Sequence, residues 1–205
     1  MYKRQGYVFD FQTPQKTISK LRLPYPGQHN LMNAAAALAL ALEVGCDAES
    51  LRTALATFKG VDRRFSVRMT SPKILVDDYA HHPTEINAVV DALESFYPNK
   101  RKLGVFQPHL FSRTRDFVNG FKKALARFDE VLLLDIYPAR ELPMQGITSR
   151  LLIDESHSDT ALISKSELAQ KVIKSTAEVV TIMGAGDIAF EVSNVMQTLN
   201  NQHHE

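Results

Sequence analysis

Lys73-Ile74-Leu75-Val76-Asp77-Asp78-Tyr79-Ala80-His81-His82-Pro83-Thr84-Glu85-Ile86 sets an apolar strand directly against a polar loop and the start of a helix. Pro83 suits a first helical turn, and Ile86, Val89, Val90 and Leu93 recur at helical spacing, which gives that helix one buried face. In an open α/β sheet the loop leaving a strand's carboxyl end opens onto the ligand crevice, and the helix N-terminus behind it favours anions. A ligand site is therefore expected at Asp77 to His82.

Outward from this run, apolar strands alternate with amphipathic helices to the end of the chain. Strands are predicted near 65–70, 73–78, 102–107, 130–135, 160–164 and 179–183, and helices near 84–96, 113–126, 166–174 and 186–199. That alternation predicts a Rossmann-like α/β domain with a mostly parallel sheet and crossover helices. Upstream the pattern differs. Tyr7 to Phe11 and Lys16 to Leu21 alternate as a hairpin around Thr13-Pro14, followed by an alanine-rich helix over Leu31 to Leu42 and a second helix over Ala48 to Phe58, with Asp47 as its N-cap. Lys59 to Asp62 is the expected hinge, so the chain divides at about residue 60 into 1–60 and 61–205. The hairpin opens without a core before it and reads as the end of a domain that begins upstream.

Composition narrows the function classes. The 205 residues are 44% hydrophobic and 23% charged, enough for one large or two modest cores. The formal net charge is +1, with Lys and Arg scattered rather than striped, so no nucleic acid is expected and the partner should be a small molecule. Cys46, the single cysteine, permits no intrachain disulfide or thiolate cage and points to a reducing compartment. It lacks the basic neighbour a nucleophile requires, and it reads as a buried helix-end residue. The longest apolar stretch, Ala34 to Leu42, is too short to cross a bilayer. No membrane association is expected, and the protein should be cytoplasmic.

Polar groups gather at four expected strand ends: Asp77, Asp78 and His81; Gln107 and His109; Asp135; and Gly184, Gly186 and Asp187. Two chemistries fit. The Asp and His side chains suit a divalent metal in a phosphohydrolase, although no helical His-x-x-x-His spacing supports a cage and adjacent His81 and His82 would point apart. Alternatively the same edge holds a nucleotide or an anionic substrate. Met183-Gly184-Ala185-Gly186-Asp187 superficially resembles a dinucleotide fingerprint, but it lacks the third glycine and the following ribose-binding acid, so close backbone approach explains the glycines better. Arg113 and Arg115 stand at a strand-to-helix junction, where they either fork a carboxylate or phosphate or pair with Asp116 in solvent; Arg63 and Arg64, directly after the hinge, pose the same choice, with a phosphate contact as the sharper reading. His157, His203 and His204 read as surface residues.

Taken in order, Pro26-Gly27-Gln28-His29-Asn30-Leu31-Met32-Asn33-Ala34, then Asp62-Arg63-Arg64-Phe65, then Asp77 to Glu85, and then Gln107 to Asp116 resemble the Mur ligase family over nearly the whole chain. The last motif resembles that of the members that add L-alanine to UDP-N-acetylmuramate; members that recycle an intact tripeptide share the Asp77 to Pro83 element but are not expected to carry it. The resemblance implies an ATP-dependent ligase of peptidoglycan precursor synthesis, in which ATP phosphorylates the muramoyl carboxylate and the alanine amine attacks the acyl phosphate. It further implies that His29, Asn30 and Asn33 read the adenine, that Arg64 reaches the phosphates and acts in catalysis, and that Asp78 accepts from the ribose hydroxyls. Tyr79, His81 and Arg113 would surround the incoming alanine, with His81 also catalytic.

Many relatives have arginine where this chain has Leu110, so carboxylate capture falls to Arg113 alone or recruits Arg115. The other reading of Asn30 and Asn33 is helix capping. The family's Gly-Thr-x-Gly-Lys-Thr phosphate loop occurs nowhere in these residues, nor do its upstream Mg²⁺ ligands or UDP-binding domain, so no metal ligand is expected here. Residues 1–60 would then be the incomplete end of a central ATPase domain and 61–205 a whole C-terminal domain. The N-terminal domains would be partners in the same protein, and the isolated chain would be silent. A metal-dependent hydrolase and a non-catalytic nucleotide-sensing module remain alternatives.

Overall fold

The apolar runs at 74–76 and 103–106, and the run 179–183 with Thr181 at its middle, are strands buried on both faces, and they form the centre of the sheet. The structure, a computed structural model, describes residues 6–25, 27–153 and 159–202; Pro26, His157, His203 and His204 lie outside them. The described chain falls into two compact units, 1–61 with 91–96, and 62–90 with 97–205.

In the first unit, β1 (Tyr7–Gln12) and β2 (Thr17–Leu23) pair antiparallel, their turn closed by Thr13 N to the Lys16 carbonyl at 2.8 Å. Helices α1 (Gln28–Glu43) and α2 (Ala48–Thr57) follow. Ile18, Leu21 and Leu38 form the buried centre, with Phe9, Phe11, Leu42, Leu51 and Leu55 packed round it. Asp47 caps α2 as expected, its carboxylate accepting from the backbone of Glu49 and Ser50. Helix α1 begins three residues before the predicted start, because Gly27 supplies the cap at φ 92°. Cys46 corrects the sequence reading: it is exposed, since α1 ends at Glu43 and the chain then passes through Val44 and Gly45 at the surface.

The second unit is a six-stranded α/β sheet. Its strands are β3 (Ser66–Met69), β4 (Ile74–Asp78), β5 (Lys102–Phe106), β6 (Glu130–Leu133), β7 (Thr160–Leu162) and β8 (Val179–Met183), in the order β3-β4-β8-β5-β6-β7. Only β3 is antiparallel. Helix α3 spans Pro83–Phe96, α6 Lys165–Lys174 and α7 Glu191–Gln202. On one face α6 and α7 bury Leu168, Val172, Val192, Val195 and Leu199 in a cluster with Leu75, Leu103, Val105, Val180 and Ile182. Each such side chain contributes roughly 1.5–3 kcal/mol by burial. On the other face Phe106 meets Phe121 at 5.3 Å between ring centroids, and Gly104 leaves room for the Phe128 ring, which an added Cβ would approach to 2.9 Å.

Three elements depart from the periodicity. The helix predicted over 113–126 is two, α4 (Phe111–Asp116) and α5 (Val118–Leu125). Phe117 breaks it at φ −119° while its ring packs edge-on against His82 at 4.5 Å. β7 stops at Leu162, because Ser164 and Glu167 form a capping box that starts α6. The last helix opens as a 3₁₀ turn over Asp187–Phe190, held by the Gln107 side chain, and becomes α-helical only at Glu191. No helix among the described residues is long and apolar enough to cross a membrane.

Candidate active site

Parallel pairing of β4, β8, β5 and β6 brings their carboxyl ends to one edge, so the polar loops that follow them face a common space. Asp77 and Asp78 end β4 but do not offer open carboxylates. Asp77 is buried and accepts from Arg63 Nε at 3.1 Å and Arg68 Nη2 at 2.9 Å. Asp78 Oδ2 accepts from Phe65 N at 2.7 Å and Oδ1 from Ala80 N at 2.8 Å. Burial pushes the Asp78 carboxyl up to about 6, against the lowering effect of those two N–H groups and of Arg64.

The loop 79–82 carries the next layer. Tyr79 is part-exposed, and the guanidiniums of Arg63 and Arg64 lie over its ring at 5.2 and 5.8 Å from the centroid. Tyr79 also meets the His81 ring edge-on at 5.4 Å. His81 Nδ1 lies 2.9 Å from the Tyr79 carbonyl oxygen and 3.2 Å from Glu85 Oε2, and Glu85 additionally accepts from His81 N at 2.8 Å. Both neighbours of Nδ1 are acceptors, so Nδ1 is placed to donate to them.

From the end of β5, His109 comes within 6.0 Å of the His81 ring, centroid to centroid. Arg113, one helical turn on, places Nη1 3.3 Å from His109 Nδ1. Burial holds the His109 imidazole below its ordinary pKa, and Arg113 and His81 act in the same direction. Arg115 takes the solvated alternative: it is exposed and bonds Asp116 at 2.7 Å. Thus the second unit brings together Arg64, Asp78, Tyr79, His81 and Arg113, while Arg115 points its guanidinium at Asp116. In the first unit, His29, Asn30 and Asn33 lie on the first two turns of α1, with the His29 ring close over Gly27. Gly27, not an asparagine, occupies the cap, without a side-chain hydrogen bond.

Gly184 and Gly186 serve close approach. An added Cβ at Gly186 would lie 2.6 Å from Gln107 Oε1 and 2.6 Å from Tyr137 Cγ. Asp187 bonds Gln107 Nε2 at 2.8 Å and also pairs with Lys165, and Asp135 is exposed. Among the described residues no group of three or more His, Cys, Asp and Glu is arranged to hold a metal ion. Sequence reasoning gave no role to Glu85, Tyr137 or Glu141. Glu85 stands at i+4 from His81 on a helix start, a spacing that does signal a contact; Tyr137 and Glu141 lie in a loop with no periodic cue.

Residues 63–186 match the family model described as Mur ligase, glutamate ligase domain. The chain is 54% identical over 196 residues to a UDP-N-acetylmuramate–L-alanine ligase of Christiangramia forsetii, covering 95% of this chain and 43% of that protein. It is 53% identical over 196 residues to the ligase of the same name from Flavobacterium psychrophilum, covering 95% and 44%. Among solved structures it superposes on a UDP-N-acetylmuramate-alanine ligase of Thermotoga maritima with TM-score 0.72 at 30% identity, covering 91% of this chain and 40% of that one. The chain therefore spans less than half the length of these relatives.

Proposed function

Because the chain belongs to the Mur ligase family, we propose that it serves an ATP-dependent ligase joining L-alanine to UDP-N-acetylmuramate, and that it supplies the amino-acid side of the site. Residues 61–205 would be the C-terminal domain, and residues 1–60 part of the central ATPase domain. The observation that carries this reading is the convergence of Tyr79, His81, His109 and Arg113 on one sheet edge, with the Arg113 cation beside His109 and the His81 ring 6.0 Å from that of His109.

The residues divide the chemistry between them. Arg113 pairs the alanine carboxylate, a recognition suited to a guanidinium fork. His81 Nε2 takes a proton from the alanine ammonium, and Glu85 and the Tyr79 carbonyl, both at Nδ1, stabilise the imidazolium that results. The freed amine lone pair attacks the acyl carbon of the muramoyl phosphate. The C–O bond to phosphate then breaks, and phosphate leaves with that electron pair and takes the second proton from the new N–H2+ centre, which leaves the neutral amide. Arg64, exposed beside Tyr79, offsets charge on the transferring phosphoryl group. Asp78 accepts from the ribose hydroxyls, and His29, Asn30 and Asn33 read the adenine. Mg²⁺, when bound, would neutralise phosphate charge; among the described residues no group of three or more His, Cys, Asp and Glu is arranged to hold it. The metal-hydrolase alternative loses its donors for a related reason, since Asp77 is paired with two arginines and Asp78 is bound to backbone N–H groups.

The test is a chimera in which these 205 residues replace the matched stretch of the Christiangramia forsetii relative. Phosphate release that requires both UDP-N-acetylmuramate and L-alanine, and that falls about a hundredfold or more in Arg113→Ala, supports the reading. Preference for a tripeptide over L-alanine overturns it.

A further inference from the structure

The loop after β6, residues 135–148, has no part in the chemistry above, yet it is fastened to the site at three points. Leu110 N donates to the Tyr137 carbonyl at 3.0 Å, and Tyr137 N donates to the Pro108 carbonyl at 2.8 Å. The Glu141 carboxylate accepts from Ser112 N at 3.0 Å and from the Ser112 hydroxyl. These bonds lay the Tyr137 ring flat on His109, with centroids 5.6 Å apart and planes 25° from parallel. At Gly186, a Cβ would come within 2.6 Å of Tyr137 Cγ and 2.8 Å of its Cβ, so the ring takes the space that any side chain at 186 would need.

His109 in turn meets Arg113, whose Nη1 lies 3.3 Å from Nδ1 and 3.4 Å from the His109 carbonyl oxygen. A guanidinium only donates, so Nδ1 must accept, which places the imidazole proton on Nε2 and leaves the ring neutral. We propose that Tyr137 is a positioning residue for amino-acid capture: seated against Gly186, its ring holds neutral His109 so that Nδ1 accepts from Arg113 and aims the guanidinium at the incoming carboxylate. This rests on the reading of Arg113 as the carboxylate's partner.

The physical gain is pre-organisation. An arginine side chain loses rotamer freedom when it is fixed, and two acceptors on Nη1 remove part of that cost before substrate arrives, leaving Nε and Nη2 for a bidentate carboxylate. The ring works only while it is neutral. Arg113 from α4, His81 from the loop after β4 and Arg140 from the loop after β6 all disfavour the imidazolium; Glu141 alone favours it, and burial disfavours it further. The glycine-rich turn thereby acquires a role unrelated to dinucleotides: Gly186 makes room for an aromatic ring.

Three substitutions in the chimera test this. Tyr137→Ala should raise the KM for L-alanine about tenfold while kcat and the KM for ATP change less than about twofold, and Tyr137→Phe, which keeps the flat face, should stay within about twofold of the parent. Tyr137→Leu keeps bulk without the face; it should behave as Ala and covers the case in which the Ala variant does not fold. On the 205-residue chain itself, imidazole ¹⁵N shifts of His109 should report the Nε2–H form in the parent and in Tyr137→Phe, and mixed tautomers in Tyr137→Leu. A purely structural role would move kcat and both KM values together. Unchanged alanine KM in Tyr137→Ala and Tyr137→Leu, or a Phe variant as impaired as Leu, overturns the inference while leaving the ligase reading intact. An inactive parent chimera removes both.

Discussion

Arg63 and Asp77 form the bond that ties the entry of the second unit to the end of its central strand: Nε donates to Asp77 Oδ1 at 3.1 Å, with the arginine side chain 15% and the carboxylate 3% exposed. The same guanidinium donates through Nη2 to the Gly184 carbonyl, so β4 and the turn after β8 share one cation. Its backbone is held as well, at φ 56°, by Tyr79 N donating to the Arg63 carbonyl at 2.7 Å.

Arg63→Met keeps the aliphatic stem but removes both bonds. Asp77 retains Arg68, whose half-exposed position screens it, so the loss should fall short of a fully orphaned buried charge. The expected cost is about 2 kcal/mol in urea unfolding of the 205-residue chain, below the 3–5 kcal/mol typical of a broken buried pair. Asp77→Asn, which takes the charge from both arginines, should cost at least as much.

Asp78 should titrate far from the other carboxylates. With its folded value near 6 against an ordinary 3.8, the folded state holds the proton more tightly than the unfolded one. The stability this contributes is fully present below pH 3.8 and is lost as pH rises through about 6. Carboxyl ¹³C shifts should show a midpoint near 6 for Asp78, while Asp47, Asp187 and Glu178, held down by hydrogen-bond donors, titrate below their ordinary values. An Asp78 midpoint near 4 would show that the two N–H donors outweigh burial.

The parts of the fold visible in the sequence are those fixed by local pattern. Ile74 to Val76, Leu103 to Phe106 and Val179 to Met183 admit only buried strands, and Asp47 announces α2 by its chemistry alone. The motif around Asp77 also marked the strand end at Asp78 and the helix start at Pro83. What stayed hidden depends on distant partners. Nothing near Phe117 signals a helix break, because the ring it packs against belongs to His82. Gln107 delays the start of α7 from another strand. Tyr137 is unremarkable in Ile136-Tyr137-Pro138 until the sheet brings Gly186 and His109 to it.

Thr181 lies fully buried at the middle of β8, and its hydroxyl has no hydrogen-bond partner among the described residues. Thr and Val share a shape, so Thr181→Val removes an unsatisfied polar group without opening a cavity. The variant should be more stable by about 1 kcal/mol in denaturant unfolding. Destabilisation would reveal a partner for that oxygen.

On the proposed role of Arg113, the pH dependence of alanine capture would follow from the tautomer of His109. Protonation converts Nδ1 from an acceptor into a donor facing Arg113 Nη1, so the imidazolium would push the guanidinium away from its aimed position. Burial and the surrounding cations set this protonation below the ordinary 6.5, which means that the parent chimera should hold a flat KM for L-alanine through neutral pH. As pH falls through the depressed His109 value, KM should rise. In His109→Gln, whose amide oxygen accepts without titrating, that acid limb of the alanine KM should flatten. Retention of the full KM limb in that variant would take the titration away from His109 and leave it with packing alone.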